Sequence, residues 1–236
     1  MVDWNRSLSF RSPGLWLVLL VAGIAAGVVL AEKWPDGAQQ EAIRKLVALG
    51  VMLERDDDGN ATSVRIHPGT SLKGLEQLAF LPHLKTLGLP VTDATDADLV
   101  PLRQVPWLEE LILSGNPAIT DAGLKNLEGS GELKALYLSD LPIDGSGFAS
   151  WSRLRKLEVL NLAYTKVNEA NLVHLAGMTN LRVVDVSGTQ VSDAGLEYIR
   201  GLKNLEVLFV MGARVTPEGA AELNKLLPGV NVKFGP

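Results

Sequence analysis

From Leu84 onward apolar residues return in one pattern, L-x-x-L-x-L: Leu84/Leu87/Leu89, Leu108/Leu111/Leu113, Leu133/Leu136/Leu138, Leu157/Leu160/Leu162, Leu181/Val184/Val186, Leu205/Leu208/Val210, and a shortened copy at Leu227/Val230/Val232. The starts lie 24, 25, 24, 24, 24 and 22 residues apart. The x-L-x-L part alternates with period two, which predicts a short strand with its leucines on one face. A second apolar pair follows in each unit at Leu99/Leu102, Leu124/Leu127, Phe148/Trp151, Leu172/Leu175, Leu196/Ile199 and Ala220/Leu223. Its spacing of three predicts a short helix that closes the unit from the other side.

Each predicted helix start carries an oxygen-bearing side chain to accept from orphan N–H groups: Thr95, Thr120, Asp144, Asn168, Ser192 and Thr216. The next column holds Asp96, Asp121, Gly145, Glu169, Asp193 and Pro217, residues suited to the positive end of a helix dipole. A row of stacked cation ligands is the competing reading of those acids, weakened by the Gly and Pro that interrupt it. Gly123, Gly147, Gly195 and Gly219 keep the corner small, so neighbouring units can approach closely. A single unit of this size cannot bury its own apolar face, so the units must stack and the stack must be covered at both ends.

These residues resemble a known group, bacterial leucine-rich repeat proteins with units L-x-x-L-x-L…T-D-A-G-L. The closest copies are Val186-Ser-Gly-Thr-Gln-Val-Ser-Asp-Ala-Gly-Leu196 and Ile119-Thr-Asp-Ala-Gly-Leu124. The resemblance extends to ribonuclease-inhibitor and F-box relatives and to membrane-anchored planctomycete proteins, and it covers residues 62–236. It implies an α/β right-handed solenoid, with parallel strands on a concave face and short helices on a convex one, that serves as a protein-binding scaffold. The asparagine ladder of such repeats is mostly replaced here, the column holding Thr92, Asn116, Leu141, Thr165, Thr189 and Ala213. No F-box segment precedes the repeats, so no ubiquitin-ligase role is implied.

Upstream, residues 12–31 read SPGLWLVLLVAGIAAGVVLA without a charge, and 20 residues at ~1.5 Å rise reach ~30 Å, one bilayer core. Trp16 and Trp34 sit near the two ends of the segment, and Arg6 and Arg11 precede it, which predicts a transmembrane anchor with residues 1–11 cytoplasmic and the rest outside the cytoplasm. A cleaved signal ending at Ala31, and hence a secreted chain, is the alternative. Gly23 and Gly27 match a helix-dimerisation spacing that is common in spans. Residues 32–67 read as an N-terminal cap. They hold a helix opened by the box Asp36-Gly-Ala-Gln39, with Ile43, Leu46 and Val47 on one face and Gly50 at its end, then a hairpin of Val51–Glu54 and Ser63–Ile66 around an acidic turn. A calcium loop there would need its bidentate Glu where Arg65 stands. Residues 68–236 form the repeats, closed by a strand within Leu227–Phe234.

Of the 236 residues 47% are hydrophobic and 21% charged, which excludes a disordered tail, and a net charge of -5 argues against a nucleic-acid partner. There is no cysteine, and His67, His83 and His174 fall in different repeat columns, so no metal site is expected. No nucleophile elbow, phosphate loop or dinucleotide fingerprint is present, so neither a cofactor nor an enzyme is expected.

Binding chemistry instead has a place on the concave face, where the residues between the leucines point outward. Ile112, Tyr137, Val207, Phe209 and Met211 are candidate anchors, with Asn161 and Asp185 as polar specifiers for a protein or peptide partner. Strand propensity, with packing of the apolar end on the C-terminal cover, explains the same row without a partner. A structural spacer or self-associating envelope protein is the alternative function.

Overall fold

The computed structural model describes residues 37–235. The expected cytoplasmic tail 1–11, the apolar segment 12–31 with Trp16, Gly23 and Gly27, the alternative cleavage point after Ala31, Trp34 and Asp36 of the expected capping box lie outside them. Among the described residues no helix is long and apolar enough to cross a membrane.

Helix α1 (Gly37–Ala48) turns Ala42, Ile43 and Leu46 inward. Val47, expected on that face, is exposed. Among the described residues the helix packs chiefly on the 3-10 segment Leu75–Phe80, so its buried stripe is narrow. Gly50, at φ 80°, ends the turn as expected. The hairpin follows as β1 (Met52–Arg55) and β2 (Ala61–Arg65), antiparallel with a bulge at Glu54/Arg55. Its acidic turn is held locally, Asp56 Oδ1 accepting from the N–H groups of Asp58 and Asn60.

The coils then add one strand each: β3 (Thr86–Gly88), β4 (Glu110–Ile112), β5 (Ala135–Tyr137), β6 (Val159–Asn161), β7 (Val183–Asp185), β8 (Val207–Phe209) and β9 (Asn231–Lys233). The nine strands form one sheet in chain order, parallel from β2 to β9. Register is one-to-one, so Leu87, Leu111, Leu136, Leu160, Val184 and Leu208 lie side by side, all fully buried in a single continuous core.

The last coil corrects the sequence alignment. Leu208 pairs with Val232, so Val232 and not Val230 is the central strand residue. A shift of two residues preserves in–out alternation, so the sequence pattern could not choose between them, whereas hydrogen bonding to β8 does.

On the opposite side the helices are shorter than expected. Only α4 (Asp193–Ile199) and α5 (Pro217–Leu226) exceed one turn. The units at α2 (Asp121–Leu124) and α3 (Glu169–Leu172) run on as 3-10 turns, and Asp96–Gln104 and Ser146–Ser150 are 3-10 throughout. The pairs at i and i+3 suit that geometry, because three residues per turn bring them onto one line. All six pairs are buried.

Five of the six expected caps stand where the sequence puts them. The exception is the third unit, whose cap is Gly145 at φ 96°, while Asp144 accepts from Ser146 N–H at 2.8 Å. Thr120 and Asn168 accept from N–H groups two residues on, and Thr216 from Gly219. Ser192 sits at its cap position but donates its hydroxyl to Glu169.

The acidic column does more than complement dipoles, because each carboxylate crosses to the next coil. Asp96 accepts from Thr120 N–H and hydroxyl, both at 2.7 Å, and Asp193 does the same for Thr216 at 2.8 Å. Asp121 accepts from the N–H groups of Asp144, Gly145 and Gly147. With those oxygens committed to backbone N–H and hydroxyl groups of the next coil, the row is a set of inter-coil clamps. The glycine column keeps these corners clear: a Cβ at Gly123 or Gly219 would collide with the Asp96 or Asp193 carboxylate, one at Gly147 would lie 2.7 Å from the Asp121 carbonyl oxygen, and one at Gly195 2.9 Å from Val191 Cγ1.

Candidate functional site

The register sorts the outward residues of the sheet into rows. One runs Arg65, Gly88, Ile112, Tyr137, Asn161, Asp185, Phe209, Lys233 and the next Ser63, Thr86, Glu110, Ala135, Val159, Val183, Val207, Asn231. Ile112, Tyr137, Asn161, Asp185 and Phe209 therefore share one row, Val207 stands in the adjacent row, and Met211 lies just past the end of β8. The face is polar or charged at both ends and mostly apolar in the middle, from β4 to β8, where Glu110, Asn161 and Asp185 are the exceptions. Strand β9 lies beside β8 in plane rather than over it, so this part of the C-terminal cover extends the sheet.

Ile112, Tyr137, Val159, Val183, Val207 and Phe209 are half-buried and Met211 is 36% exposed. Burial and then the charge of Glu110 push the Tyr137 phenol above its ordinary value, as expected for a hydroxyl at the margin of an apolar surface. Asn161 and Asp185, expected as free polar specifiers, are buried and folded back on their own strands. Ala163 N–H donates to Asn161 Oδ1 at 2.9 Å and Ser187 N–H to Asp185 Oδ1 at 2.8 Å. One oxygen of each therefore holds backbone and is not available to a partner.

The edge where the strands begin carries a column of alternating sign: Lys85, Glu109, Lys134, Glu158, Arg182, Glu206. Stacking turns it into a ladder with contacts of 3.5 Å (Lys85–Glu109), 2.6 Å (Glu109–Lys134), 3.7 Å (Glu158–Arg182) and 2.8 Å (Arg182–Glu206). The Lys134 hydrogen bond holds Glu109 below the usual carboxylate range despite some burial. Each such exposed pair contributes roughly 0–1 kcal/mol, and the larger consequence is that this edge neutralises itself.

At the opposite edge, beyond the strand ends, sequence reasoning missed a column in the left-handed backbone region: Val91, Gly115, Asp140, Tyr164, Gly188 and Gly212, with φ from 54° to 75°. Its N–H groups continue the sheet, Tyr164 donating to Ser187 O at 2.7 Å and Gly188 to Met211 O at 2.8 Å. Glycine supplies that conformation at three positions; valine and tyrosine adopt it at a cost of order 1–3 kcal/mol. Tyr164 is 60% exposed, and its ring lies where a Cβ on Gly188 would be, at 2.5 Å from Cδ1. A large aromatic is thus held on a strained corner beside the apolar row. Three glycines in one repeat column were the signal that could have disclosed it. Tyr164→Asn, which suits the left-handed region, is expected to leave the melting temperature unchanged or raise it by a few degrees, read by thermal unfolding; a clear fall would make the ring a structural prop.

Among the described residues no group of acidic or histidine side chains is arranged to hold a metal ion.

Comparison with known proteins agrees with this geometry. A family model described as Leucine Rich repeat matches residues 106–127 and 177–199. No curated protein matches. Among solved structures, the chain is similar to an internalin, inlF, of Listeria monocytogenes (22% identity, TM-score 0.59, 74% of this chain and 47% of that one). It is also similar to internalin C2 of the same organism (18% identity, TM-score 0.59, 85% and 95%) and to a leucine-rich repeat protein of Leptospira interrogans (20% identity, TM-score 0.50, 67% and 45%). The chain spans about half the length of the first and third. The fold is a leucine-rich repeat solenoid, an architecture that commonly serves as a protein-binding scaffold.

Proposed function

We propose that this protein is a binding scaffold, presented outside the cytoplasm by its N-terminal apolar segment, that holds a protein or peptide on the strand face of its solenoid. The carrying observation is the group of half-buried apolar side chains Val159, Val183 and Val207 with Ile112, Tyr137 and Phe209 beside them and the exposed Met211 at its end, interrupted in the row of Ile112 by Asn161 and Asp185 and bordered by Tyr164 on a strained corner. Large contiguous apolar surface on a face that the fold leaves open is what partner binding explains. The uncharged 20-residue stretch before the repeats, with a tryptophan near each end and arginines preceding it, supports the tethered location.

The test is crosslinking of the full chain in intact cells with a membrane-impermeant reagent, comparing it with the Phe209→Ser/Met211→Ser double variant. A crosslinked partner is expected for the native chain. The double variant is expected to lose at least about tenfold of that product, with a melting temperature within a few degrees of native. A large loss of stability would assign the row to packing. Products containing only this chain would favour a self-associating envelope protein, and none at all would favour a spacer or a location inside the cell.

A further inference from the structure

Asp185 on β7 places a carboxylate inside the apolar stretch of the strand face, 6% exposed. Nothing in the fold requires its charge. Its Oδ1 holds Ser187 N–H in a turn that Asn161, one strand away and equally buried, makes with a neutral amide. Asparagine at 185 would give the same turn without burying a charge. No described lysine or arginine forms an ion pair with it. Arg182 is committed to Glu158 and Glu206 on the strand-start edge, and Lys233, two strands along the same row, is about 10 Å away at sheet spacing. Burial accordingly holds the Asp185 carboxyl above the ordinary carboxylate range, offset in part by Ser187.

A second polar atom beside it lacks a partner. Ser187 Oγ, in a residue only 3% exposed, lies close enough to favour the ionised carboxylate but makes no hydrogen bond of good geometry. A buried hydroxyl without a hydrogen-bond partner beside a buried carboxylate that no cation pairs is costly unless something completes the two. The completing group must carry positive charge, several donors and an apolar stem that runs over Val183 and Val207. Lysine and arginine side chains have that form.

We infer that Asp185 and Ser187 form a subsite that receives a lysine or arginine side chain of the bound partner segment; this rests on the scaffold reading above and specifies what the scaffold selects. The carboxylate supplies the counter-charge, Ser187 Oγ a further acceptor, and the flanking valines the wall for the stem. Specificity follows from the same features, because a neutral side chain placed there would leave the buried charge unpaired.

The experiment selects displayed random dodecapeptides on the full chain and retains those that fail to bind the Phe209→Ser/Met211→Ser variant. Expected binders contain Lys or Arg. Replacing that residue by norleucine, or Asp185 by Asn, is expected to weaken binding at least about tenfold, and the two losses should not add. Glu206→Gln, on the opposite edge, should change nothing. Asp185→Asn alone should melt at the same temperature as the native chain or higher. Retained binders without a basic residue, binding indifferent to Asp185→Asn, or a melting temperature lowered by several degrees would each overturn the subsite while leaving the scaffold intact. Failure to retain any peptide would overturn both.

Discussion

Replacing Asn116 by alanine is expected to cost about 3–5 kcal/mol, a large part of the 5–15 kcal/mol that stabilises an ordinary domain. The side chain is wholly buried, and both of its ends are in use. Oδ1 accepts from Thr92 N–H at 2.9 Å and Ala94 N–H at 3.0 Å in the preceding coil, and Nδ2 donates to the carbonyls of Leu89 and Leu113, each at 2.7 Å. Alanine leaves two buried N–H groups and at least one buried carbonyl without partners, and each such orphan costs about 1–3 kcal/mol. Most other coils lack this device. Thr165 and Thr189 return their hydroxyls to carbonyls of their own coil, Leu162 O and Val186 O, and Leu141 and Ala213 have no group to return. Asn116 is therefore the one ladder residue, and it ties its coil to the one before. Equilibrium denaturation of the variant measures the loss; a loss below about 1 kcal/mol would mean that water replaces the side chain at no great cost.

Asp121→Ala is expected to cost about 2–4 kcal/mol, because three N–H groups lose a charged acceptor at once. Asp144 N–H reaches Oδ2 at 2.9 Å, and Gly145 and Gly147 reach Oδ1 at 3.0 and 2.9 Å. This clamp also sets the path of the Gly145 corner, so its loss should loosen the segment Ser146–Ser150 and the stacked Phe148 and Trp151 rings beneath it, 4.3 Å between centroids. Asp121→Asn keeps one acceptor oxygen and should lose less. Hydrogen exchange at Gly145, Gly147 and Phe148 should accelerate in the alanine variant ahead of global unfolding; uniform acceleration over the whole chain would mean that the clamp is not local.

Much of this architecture was legible because it is local. Leu111, Leu136 and Leu160 announce themselves by alternation, Leu124/Leu127 and Leu196/Ile199 by a spacing of three, and Gly50 and Thr216 by the chemistry of helix ends. The candidate face was legible for the same reason, since residues between inward leucines can only point outward. What could not be read was the polar detail. Asn161 and Asp185 looked like free specifiers, and only the turn at each strand end shows one oxygen folded back on the backbone. The Asp96, Asp121 and Asp193 carboxylates looked like dipole partners, and only stacking shows them bonded 23 to 26 residues downstream. Tyr164 was overlooked because its significance comes from a backbone angle.

The sequence by itself determined the repeat length, the strands and the identity of the core, because the burial of apolar side chains follows from period alone. Tertiary structure decided the register of the last coil, the recipients of the acidic side chains, the strained corner under Tyr164 and the isolation of the charge at Asp185. Each of these depends on which atoms of one coil lie within hydrogen-bonding or van der Waals distance of the next, a relation that exists only after the coils have stacked.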